Sequence, residues 1–199
     1  MMKMYVIGSC RVHGPLSKVP GYSRGLRGYT HGIKEAIQHV KYVRGAIKIP
    51  TDVMPLIVGS SATVNVTRAR AALNAADVTV VEVSTGKVNE YNGLFLQDNY
   101  LRRHGRPEGV STYMQDYLEQ DIEELKSLVP KFVIVQHIEI DGIHSRSEFA
   151  ATLRTQCAAQ GVPVYNPTPG AKMIDAYHYD PATLPEVAKR MMEFIQCYQ

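Results

Sequence analysis

The stretch Met4-Tyr5-Val6-Ile7-Gly8-Ser9-Cys10-Arg11 decides how the rest of this chain is interpreted. A short apolar run ends at a glycine and is followed at once by two side chains that can act as nucleophiles. In an α/β protein this order is typical of a first strand that turns sharply toward a helix, and ligands collect at the carboxyl ends of such strands. A distant segment, Asp175-Ala176-Tyr177-His178, supplies a carboxylate and a base just before the last predicted helix. We therefore predict that the two ends of the chain meet in space and form one site.

The composition is that of an ordinary folded domain. Of the 199 residues, 45% are hydrophobic and 21% are charged, so we predict one domain over residues 1–199 with a sizeable core. No apolar run is long enough to span a membrane, and the N-terminal section lacks the apolar core of a secretory signal, so we expect no membrane partner. Three scattered cysteines do not form a disulfide framework, which favours a reducing, cytoplasmic location.

The charge of the chain is small but unevenly distributed. The net charge is +3 and the isoelectric point is near 8.7. Between residues 11 and 48 there are eight Lys or Arg residues against a single acid, Glu35. This asymmetry indicates an anionic ligand, such as a phosphate or carboxylate, although a solvated basic face explains it equally well. The stretch has no recognisable nucleic-acid-binding motif, so we expect no nucleic-acid partner.

Predicted strands and helices alternate along the chain. The strands are short apolar or β-branched runs, at 3–7, 53–58, 77–83, 131–135 and 162–165. The helices show a 3.6-residue apolar period or a capping box, at 29–43, 63–76, 112–129, 145–160 and from 183 onward. Strict alternation favours parallel strands joined by helical crossovers. It predicts an α/β fold, namely a flavodoxin-like three-layer α/β/α sandwich around a five-stranded, mainly parallel sheet.

Some segments of this pattern are less regular. Pro55 would place the second strand at the sheet edge, because proline cannot donate to the strand ladder. Residues 11–28 are rich in Gly and Pro and are predicted as a long basic loop. Residues 88–109 have no clear period and could form one helical turn or a lid. The helix predicted at 112–129 would carry the apolar stripe Met114, Leu118, Ile122, Leu125 and Val129.

In such a sheet the loops that follow the strands lie together at one edge. The chemistry-bearing residues expected there are Ser9, Cys10, Gly59, Ser84, His137, Asp175 and His178. A nucleophile, a base and an orienting carboxylate are the parts of an acyl-transfer site. Cys10 is the first candidate nucleophile, because a helix N-terminus and the adjacent Arg11 would lower the pKa of its thiol. Ser9 is the second, although it suits a capping role equally well, and a free cysteine is often only a small buried hydrophobe.

On these motifs the chain resembles the SGNH (GDSL-type) hydrolase superfamily, in a cysteine-containing variant similar to GSCFA-type proteins and capsule polysaccharide acetyltransferases. The resemblance matches Gly8-Ser9-Cys10 to the first block of that family, with Cys10 as the nucleophile. It matches Gly59 to the second block, whose glycine amide contributes to the oxyanion hole. Asp175 and His178 match the last block, with His178 as base and Asp175 as its orienter.

The chain departs from that family at the third block. The family pattern is Gly-x-Asn-Asp, which supplies an oxyanion asparagine, and Val83-Ser84-Thr85-Gly86 lacks it. Ser84, Asn89 or Asn92 would have to replace that asparagine. This departure favours transferase or altered chemistry over ordinary esterase activity.

The resemblance implies an acyl hydrolase or acyltransferase that acts on an ester or thioester through a covalent intermediate on Cys10, or on Ser9. It implies no required cofactor, a small-molecule or saccharide substrate that carries the acyl group, and a coenzyme A thioester as a candidate co-substrate. Lys18, Arg24 and Arg27 of the basic loop would then bind an anionic part of the substrate, such as a coenzyme A phosphate. The sequence does not indicate an oligomeric state.

Other interpretations stay open. Asp141-Gly142-Ile143-His144 has the same spacing as Asp175 and His178, and only its position in the chain separates the two motifs. The missing asparagine favours a non-catalytic protein of the same fold that binds an anionic ligand. His137 follows a predicted strand, where it would bind substrate, position His178 or simply pack. With His144 and His178 it could also serve a metal hydrolase, although no CxxC or HExxH motif indicates a metal site.

Overall fold

The computed structural model describes residues 1–26, 30–59, 65–115, 117–139, 144–169, 171–175 and 178–198. The strands in these residues are β1 (Met4–Ile7), β2 (Tyr22–Arg24), β3 (Val78–Val83), β4 (Lys87–Tyr91), β5 (Leu94–Phe95), β6 (Ser111–Met114), β7 (Phe132–Gln136) and β8 (Val164–Tyr165). The helices are α1 (Cys10–Leu16), α2 (Ile33–Arg44), α3 (Met54–Val58), α4 (Val66–Asn74), α5 (Asp98–His104), α6 (Glu119–Leu128), α7 (His144–Ala159) and α8 (Leu184–Gln196). A 3₁₀ turn at Pro181–Thr183 precedes α8.

The centre of the molecule is a sheet of five parallel strands in the order β2-β1-β3-β7-β8. This is the strand order of flavodoxin-like folds, and it confirms the predicted three-layer α/β architecture. The direction in which the chain adds strands reverses between β1 and β3. Ligands of such sheets bind beyond the carboxyl ends of the strands at this reversal. The residues that follow β1 and β3 therefore lie where a ligand site is most expected.

The central sheet is apolar on both faces, and helices cover both. On one face, alternate side chains such as Tyr5, Ile7 and Val81 share a core with α2, α4, α6 and α7. On the other face, Met4 and Val80 share a core with α1 and α8. Burial on both sides explains why β3 reads as a nearly continuous β-branched run. Among the described residues, no helix is long and apolar enough to cross a lipid bilayer.

The helices and strands with strong patterns are confirmed, with ends shifted by a few residues. Gly45 follows α2 in the left-handed conformation, with φ of 80°, as a helix-ending glycine should. Gly161 has the same conformation after α7. Thr183 precedes α8 as predicted, but its side chain makes no capping hydrogen bond, and Glu186 pairs with Arg190 instead.

The prediction of a second strand at 53–58 is wrong, because this run forms helix α3. Pro55 lies in the first turn of that helix, where its missing N–H costs no hydrogen bond. The second strand of the sheet is β2, inside the segment predicted as a loop, and α1 occupies the first part of that segment. Helix α1 contains Gly14 and Pro15, and β2 has only three residues, so neither gives a readable period.

The segment at 88–109 contains a β-hairpin followed by a short helix. Strands β4 and β5 are joined by Asn92 and Gly93, whose φ values of 51° and 75° form the two-residue turn that Asn-Gly favours. Strand β6 pairs with the other side of β4, which gives a second, antiparallel sheet in the order β5-β4-β6.

Strand β6 also corrects the helix predicted at 112–129. Met114 pairs with β4 and is exposed, so it does not belong to the helix stripe. Helix α6 begins only at Glu119. The remaining stripe residues are buried as predicted, namely Leu118, Ile122, Leu125 and Val129.

Candidate functional site

The turn between β1 and α1 presents Cys10 at the surface. Cys10 is the first residue of α1 and is exposed. Ser9 is the N-cap of the helix, and its Oγ accepts a hydrogen bond from the Arg11 amide at 3.3 Å. A Cβ at Gly8 would lie 2.7 Å from the Cβ of Glu82, so only glycine lets β3 approach the turn this closely. In the Gly-Ser-Cys motif, Gly8 thus lets β3 approach closely, Ser9 caps α1 and Cys10 presents an exposed thiol.

A buried ion pair between Arg11 and Glu82 lies beneath this turn. Arg11 Nε donates to Glu82 Oε1 at 2.8 Å, and Nη2 donates to the same oxygen. The other carboxylate oxygen accepts the Ser9 amide at 2.6 Å. Burial alone would raise the pKa of Glu82, but the nearby positive charge of Arg11 lowers it to about 2. Glu82 is therefore a carboxylate at neutral pH, and it neutralises Arg11.

The same guanidinium joins three further loops of the rim. Its Nη2 lies 3.0 Å from Ser84 Oγ, after β3, and 3.1 Å from His31 Nδ1, before α2. Its Nη1 lies 3.0 Å from His137 Nε2, after β7. His137 Nδ1 lies 2.6 Å from the carbonyl oxygen of Ile138, which only accepts, so Nδ1 carries the proton and Nε2 accepts from Arg11. The predicted rim residues Ser84 and His137 are thus brought together, as partners of Arg11.

The prediction of a lowered pKa for Cys10 is wrong, because the pKa is raised although Arg11 itself acts to lower it. Partial burial raises the pKa of the Cys10 thiol, and the negative charge of Glu82 raises it further. Arg11 and a contact with Ser9 act in the opposite direction without overcoming these effects. The physical reason is that the charge of Arg11 is compensated by Glu82. Cys10 is therefore a neutral thiol at physiological pH.

Asp175 and His178 form an ordered pair at the other end of the chain. A bridge between Met173 and Tyr179 and a 3.0 Å bond from the Ile174 amide to the His178 carbonyl make a hairpin-like loop. The Asp175 carboxylate contacts His178 Nδ1 at 2.8 and 3.0 Å and accepts the His178 amide at 2.8 Å. Because a carboxylate accepts, Nδ1 donates and Nε2 keeps the lone pair that a general base needs.

The residue after His178 links this loop to the turn that holds Cys10. Tyr179 is buried in the same core as Val12 of α1. Burial raises the pKa of the Tyr179 phenol, Glu82 raises it further and Arg11 lowers it, and the phenol also interacts electrostatically with Cys10. Helices α1 and α8 pack against each other on this side of the sheet. Tyr179, the residue next to His178, therefore lies within electrostatic reach of the turn that holds Cys10.

The amide of the predicted oxyanion glycine is already engaged within α3. Gly59 ends α3, with φ of 85°, and its amide donates to the Pro55 carbonyl at 3.1 Å. A Cβ at Gly59 would lie 3.0 Å from the Tyr100 ring. The glycine that follows the true second strand is Gly25, whose amide donates to the Val6 carbonyl at 3.0 Å. Neither amide is available to bind an oxyanion.

The other predicted residues are partly dispersed. Asn89 is buried in β4, where it bonds to Thr112 and Asp98, and Asn92 forms the hairpin turn. Lys18 lies a few residues before β2 and Arg24 is the last residue of β2. Both side chains are exposed. Arg27, Asp141 and the side chain of His144 lie outside the described part of the structure.

Glu82 is the main site residue that sequence reasoning missed. It interrupts the run Val80-Val81-Glu82-Val83 inside a fully buried strand in which all other residues are β-branched. A carboxylate in a buried strand costs much free energy unless it is paired, so its presence there already required a cationic partner. That signal was readable, although it does not say which of the 22 Lys and Arg residues is the partner.

A second buried carboxyl lies near the site, on the first turn of α2. Glu35 Oε2 accepts the His31 amide at 2.9 Å. The carboxyl group is enclosed, although the residue as a whole keeps some exposure, and it lines a cavity of about 20 Å³ with Thr30 and Gln97. This volume is enough for about one water molecule. Burial raises the pKa of Glu35 to about 8, so the group is largely protonated at neutral pH.

Replacing Glu35 by glutamine should become more stabilising as the pH rises from 5 to 8. The unfolded chain releases this proton near pH 4.5, whereas the folded protein keeps it to about pH 8. Each pH unit between these values therefore lowers the wild-type free energy of unfolding by up to about 1.4 kcal/mol. Glutamine still accepts the His31 amide and has no proton to lose. Urea unfolding of Glu35→Gln and of the control Glu90→Gln at three pH values checks this, and a pH-independent difference from wild type would contradict it.

The fold and the site define a flavodoxin-like α/β protein with an exposed cysteine where the strand order reverses. The family model of the TviD N-terminal domain matches residues 2–112, more than half of the chain, and the chain belongs to this family. The matched residues include Cys10, Arg11, Glu82 and Ser84, and they end before the loop of His178.

Two known proteins are similar to the chain at greater distance. Over 110 residues it is 31% identical to the Vi polysaccharide biosynthesis protein TviD of Salmonella typhi. That match covers 52% of this chain and 13% of the relative, so the chain spans only a small part of that protein's length. A solved structure described as a "putative arylesterase" from Agrobacterium tumefaciens strain C58 aligns over 100% of both chains, with 12% identity and a TM-score of 0.43. A likeness this distant carries no argument about function.

Proposed function

We propose that this protein is an SGNH-like acyl-transfer enzyme, which hydrolyses or transfers an acyl group through a covalent intermediate on Cys10. One observation carries the proposal: Asp175 orients His178, and the neighbouring Tyr179 lies within electrostatic reach of the exposed Cys10 after β1. These are the nucleophile, base and orienter that acyl transfer requires. The family relative is named for polysaccharide biosynthesis, which fits an acyl group on a saccharide.

In the proposed reaction, His178 Nε2 accepts the Cys10 proton while the sulfur attacks the acyl carbonyl carbon. The carbonyl oxygen becomes an oxyanion, and its collapse expels the alcohol or thiol leaving group, which takes the proton from His178. Water or an acceptor hydroxyl then attacks the thioester, gives its proton to His178 and releases the acyl product. The Cys10 sulfur is the leaving group of this step, and it takes the proton back from His178. Asp175 holds Nδ1 protonated and stabilises the imidazolium form.

The oxyanion needs a hydrogen-bond donor, and an anionic part of the substrate needs a cation to bind it. The amide of Cys10, in the first turn of α1, is the proposed oxyanion donor, whereas Gly59 is removed from this role because its amide donates to Pro55. Lys18 and Arg24 are exposed cations that suit an anionic part of the substrate. A coenzyme A thioester, with its phosphates, remains the proposed acyl donor for a transferase.

Acyl-adduct mapping tests the proposal. The protein is mixed separately with an activated ester and with acetyl-coenzyme A, and intact mass followed by peptide mapping locates the adduct. We expect one acyl group on Cys10, formed at least about a hundred-fold more slowly in His178→Ala, because a general base contributes at least that factor. His104→Ala, which removes an exposed histidine on α5, should acylate as fast as wild type. An adduct on Ser9 would change the nucleophile, and no adduct with either donor would contradict the proposal.

A second candidate is a non-catalytic protein that binds an anionic ligand at the same rim. The observations in its favour are the raised pKa of Cys10 and the missing oxyanion asparagine. Thermal stabilisation by an anionic ligand without turnover would support it. A metal hydrolase is less favoured, because both ring nitrogens of His137 already have partners. In the described ranges, no three His, Cys, Asp or Glu residues are grouped so that they could hold a metal ion.

A further inference from the structure

The carboxylate of Glu82 takes hydrogen-bond donors from the two residues that flank Cys10. It accepts the Ser9 amide at 2.6 Å, and so uses a donor at the start of α1. It also takes two donors of Arg11, the cation nearest to Cys10 in the sequence. Only 1% of the Glu82 side chain is exposed, so its charge is poorly screened by water.

The guanidinium of Arg11 is directed into the protein. Its other donors reach Ser84, His31 and His137, and the residue is 6% exposed. A guanidinium held in this way cannot turn toward the exposed sulfur without breaking several buried hydrogen bonds, each of which is costly to leave unmade. The positive charge of Arg11 is therefore held inside the protein by these hydrogen bonds.

We propose that Glu82 is a positioning residue that fixes the Ser9–Cys10 turn and keeps Cys10 a neutral thiol until a base removes its proton. The role of His178 as that base rests on the function proposed above, whereas the role of Glu82 does not. The resting protein then contains no thiolate–imidazolium pair. Proton removal occurs together with attack on the acyl carbon, as in a serine enzyme.

The charges around Cys10 are consistent with this assignment. Glu82 faces it from β3 and Arg11 from α1, and together they have no net charge. Tyr179, from the segment before α8, is a neutral phenol. His31 and His137, from the segments before α2 and after β7, meet the cluster through Arg11. Partial burial of Cys10 raises the pKa of its thiol, and the effect of Glu82, which raises it further, is larger than the opposing effect of Arg11.

The pH dependence of alkylation tests the proposal without any substrate. Iodoacetamide is added to the full chain at pH 6 to 11, and peptide mapping gives the rate at Cys10, with glutathione as reference. We expect the Cys10 midpoint to lie above that of glutathione. In Glu82→Gln it should fall, because Arg11 is left uncompensated. The thiolate fraction at pH 7 should then rise roughly ten-fold for each unit of that fall, and the alkylation rate roughly three- to four-fold, because a thiolate of lower pKa is a weaker nucleophile.

A double variant separates charge from structure. In Glu82→Gln/Arg11→Met both charges are absent, so the midpoint should return toward that of wild type, whereas a purely structural effect would move both variants alike. Glu90→Gln, on β4 and outside the cluster, should match wild type.

A wild-type midpoint below glutathione, or a folded Glu82→Gln protein with an unshifted midpoint, would overturn the proposal. If Glu82→Gln does not fold, Arg11→Met decides instead: with the Glu82 charge uncompensated, the Cys10 midpoint should rise above that of wild type, and an unshifted midpoint would overturn the proposal. If the protein does not transfer acyl groups, these alkylation midpoints stay the same. A failure of the proposed function can therefore be distinguished from a failure of the Glu82 proposal.

Discussion

Replacing Cys10 by alanine is expected to lower kcat for an activated ester by roughly a thousand-fold or more. The reason is that the variant has no sulfur to form the acyl intermediate, while His178, Asp175 and the α1 turn stay in place. Cys10→Ser should keep a small part of the activity, because a hydroxyl can attack with His178 as base. Steady-state hydrolysis, monitored by release of the leaving group, checks both expectations.

The matched control for this experiment is Cys197→Ala. Cys197 is also exposed, but it follows α8 at the far end of the chain, where its sulfur contacts the Glu193 carbonyl. It should behave like wild type. Equal activity of Cys10→Ala and wild type would remove Cys10 from the reaction and direct attention to Ser9.

Replacing Arg11 by alanine is expected to lower the free energy of unfolding by about 3–5 kcal/mol. The substitution leaves the Glu82 carboxylate buried without its cation and removes the donor to His137 Nε2 and Ser84 Oγ. An unpaired buried charge costs more than the loss of the pair as a whole. Arg11→Lys should rescue only in part, because an ammonium group cannot occupy four partners with the geometry of a planar guanidinium. Urea unfolding at pH 7 measures both.

The pH dependence of the same variant identifies the cause. In wild type the pKa of Glu82 is lowered from 4.5 to about 2. Its pairing therefore stabilises the fold above pH 4.5, and this contribution is lost as the pH falls toward 2. The stability difference between wild type and Arg11→Ala should narrow over that interval. A difference that stays constant would show that lost packing, rather than lost pairing, is responsible.

The control for Arg11 is Arg190→Ala. Arg190 forms an exposed pair with Glu186 on α8, and exposed pairs contribute little because water screens them. No measurable change in stability is expected. A large loss there would indicate that arginine side chains stabilise this fold by packing in general.

Much of the architecture could be predicted because it is written in local patterns. The β-branched run of β3, the apolar run of β7 and the stripe of α2 each cover enough residues to give a period or a length. Helix α1 and strand β2 are among the elements that could not be predicted, because they are short and their burial depends on neighbours distant in the sequence. At 53–58 the apolar residues suited a strand or a helix equally, and contacts with α5 decided for the helix.

The candidate site also contains residues that could be named from the sequence and others that could not. Cys10, Ser9, Asp175 and His178 could be named from motif and position, because a strand end and a helix start are local features. The Asp-Gly-Ile-His motif at 141–144 had the same local signal, and only its position in the chain, before the last helix, distinguished the pair Asp175 and His178. Gly59 was assigned to the rim through a strand that does not exist, and its amide is used inside α3.

By itself the sequence determined a parallel α/β sheet with a Ser-Cys pair after its first strand and an Asp-x-x-His motif before its last helix. The tertiary structure decided the protonation of that cysteine. Arg11 is the neighbour of Cys10 in the chain, and from the sequence it should favour a thiolate. Folding brings Glu82 from 71 positions away, and this carboxylate takes the charge of Arg11 into the protein interior. Electrostatic energy depends on distance and solvent in the folded state, and neither is encoded by adjacency along the chain.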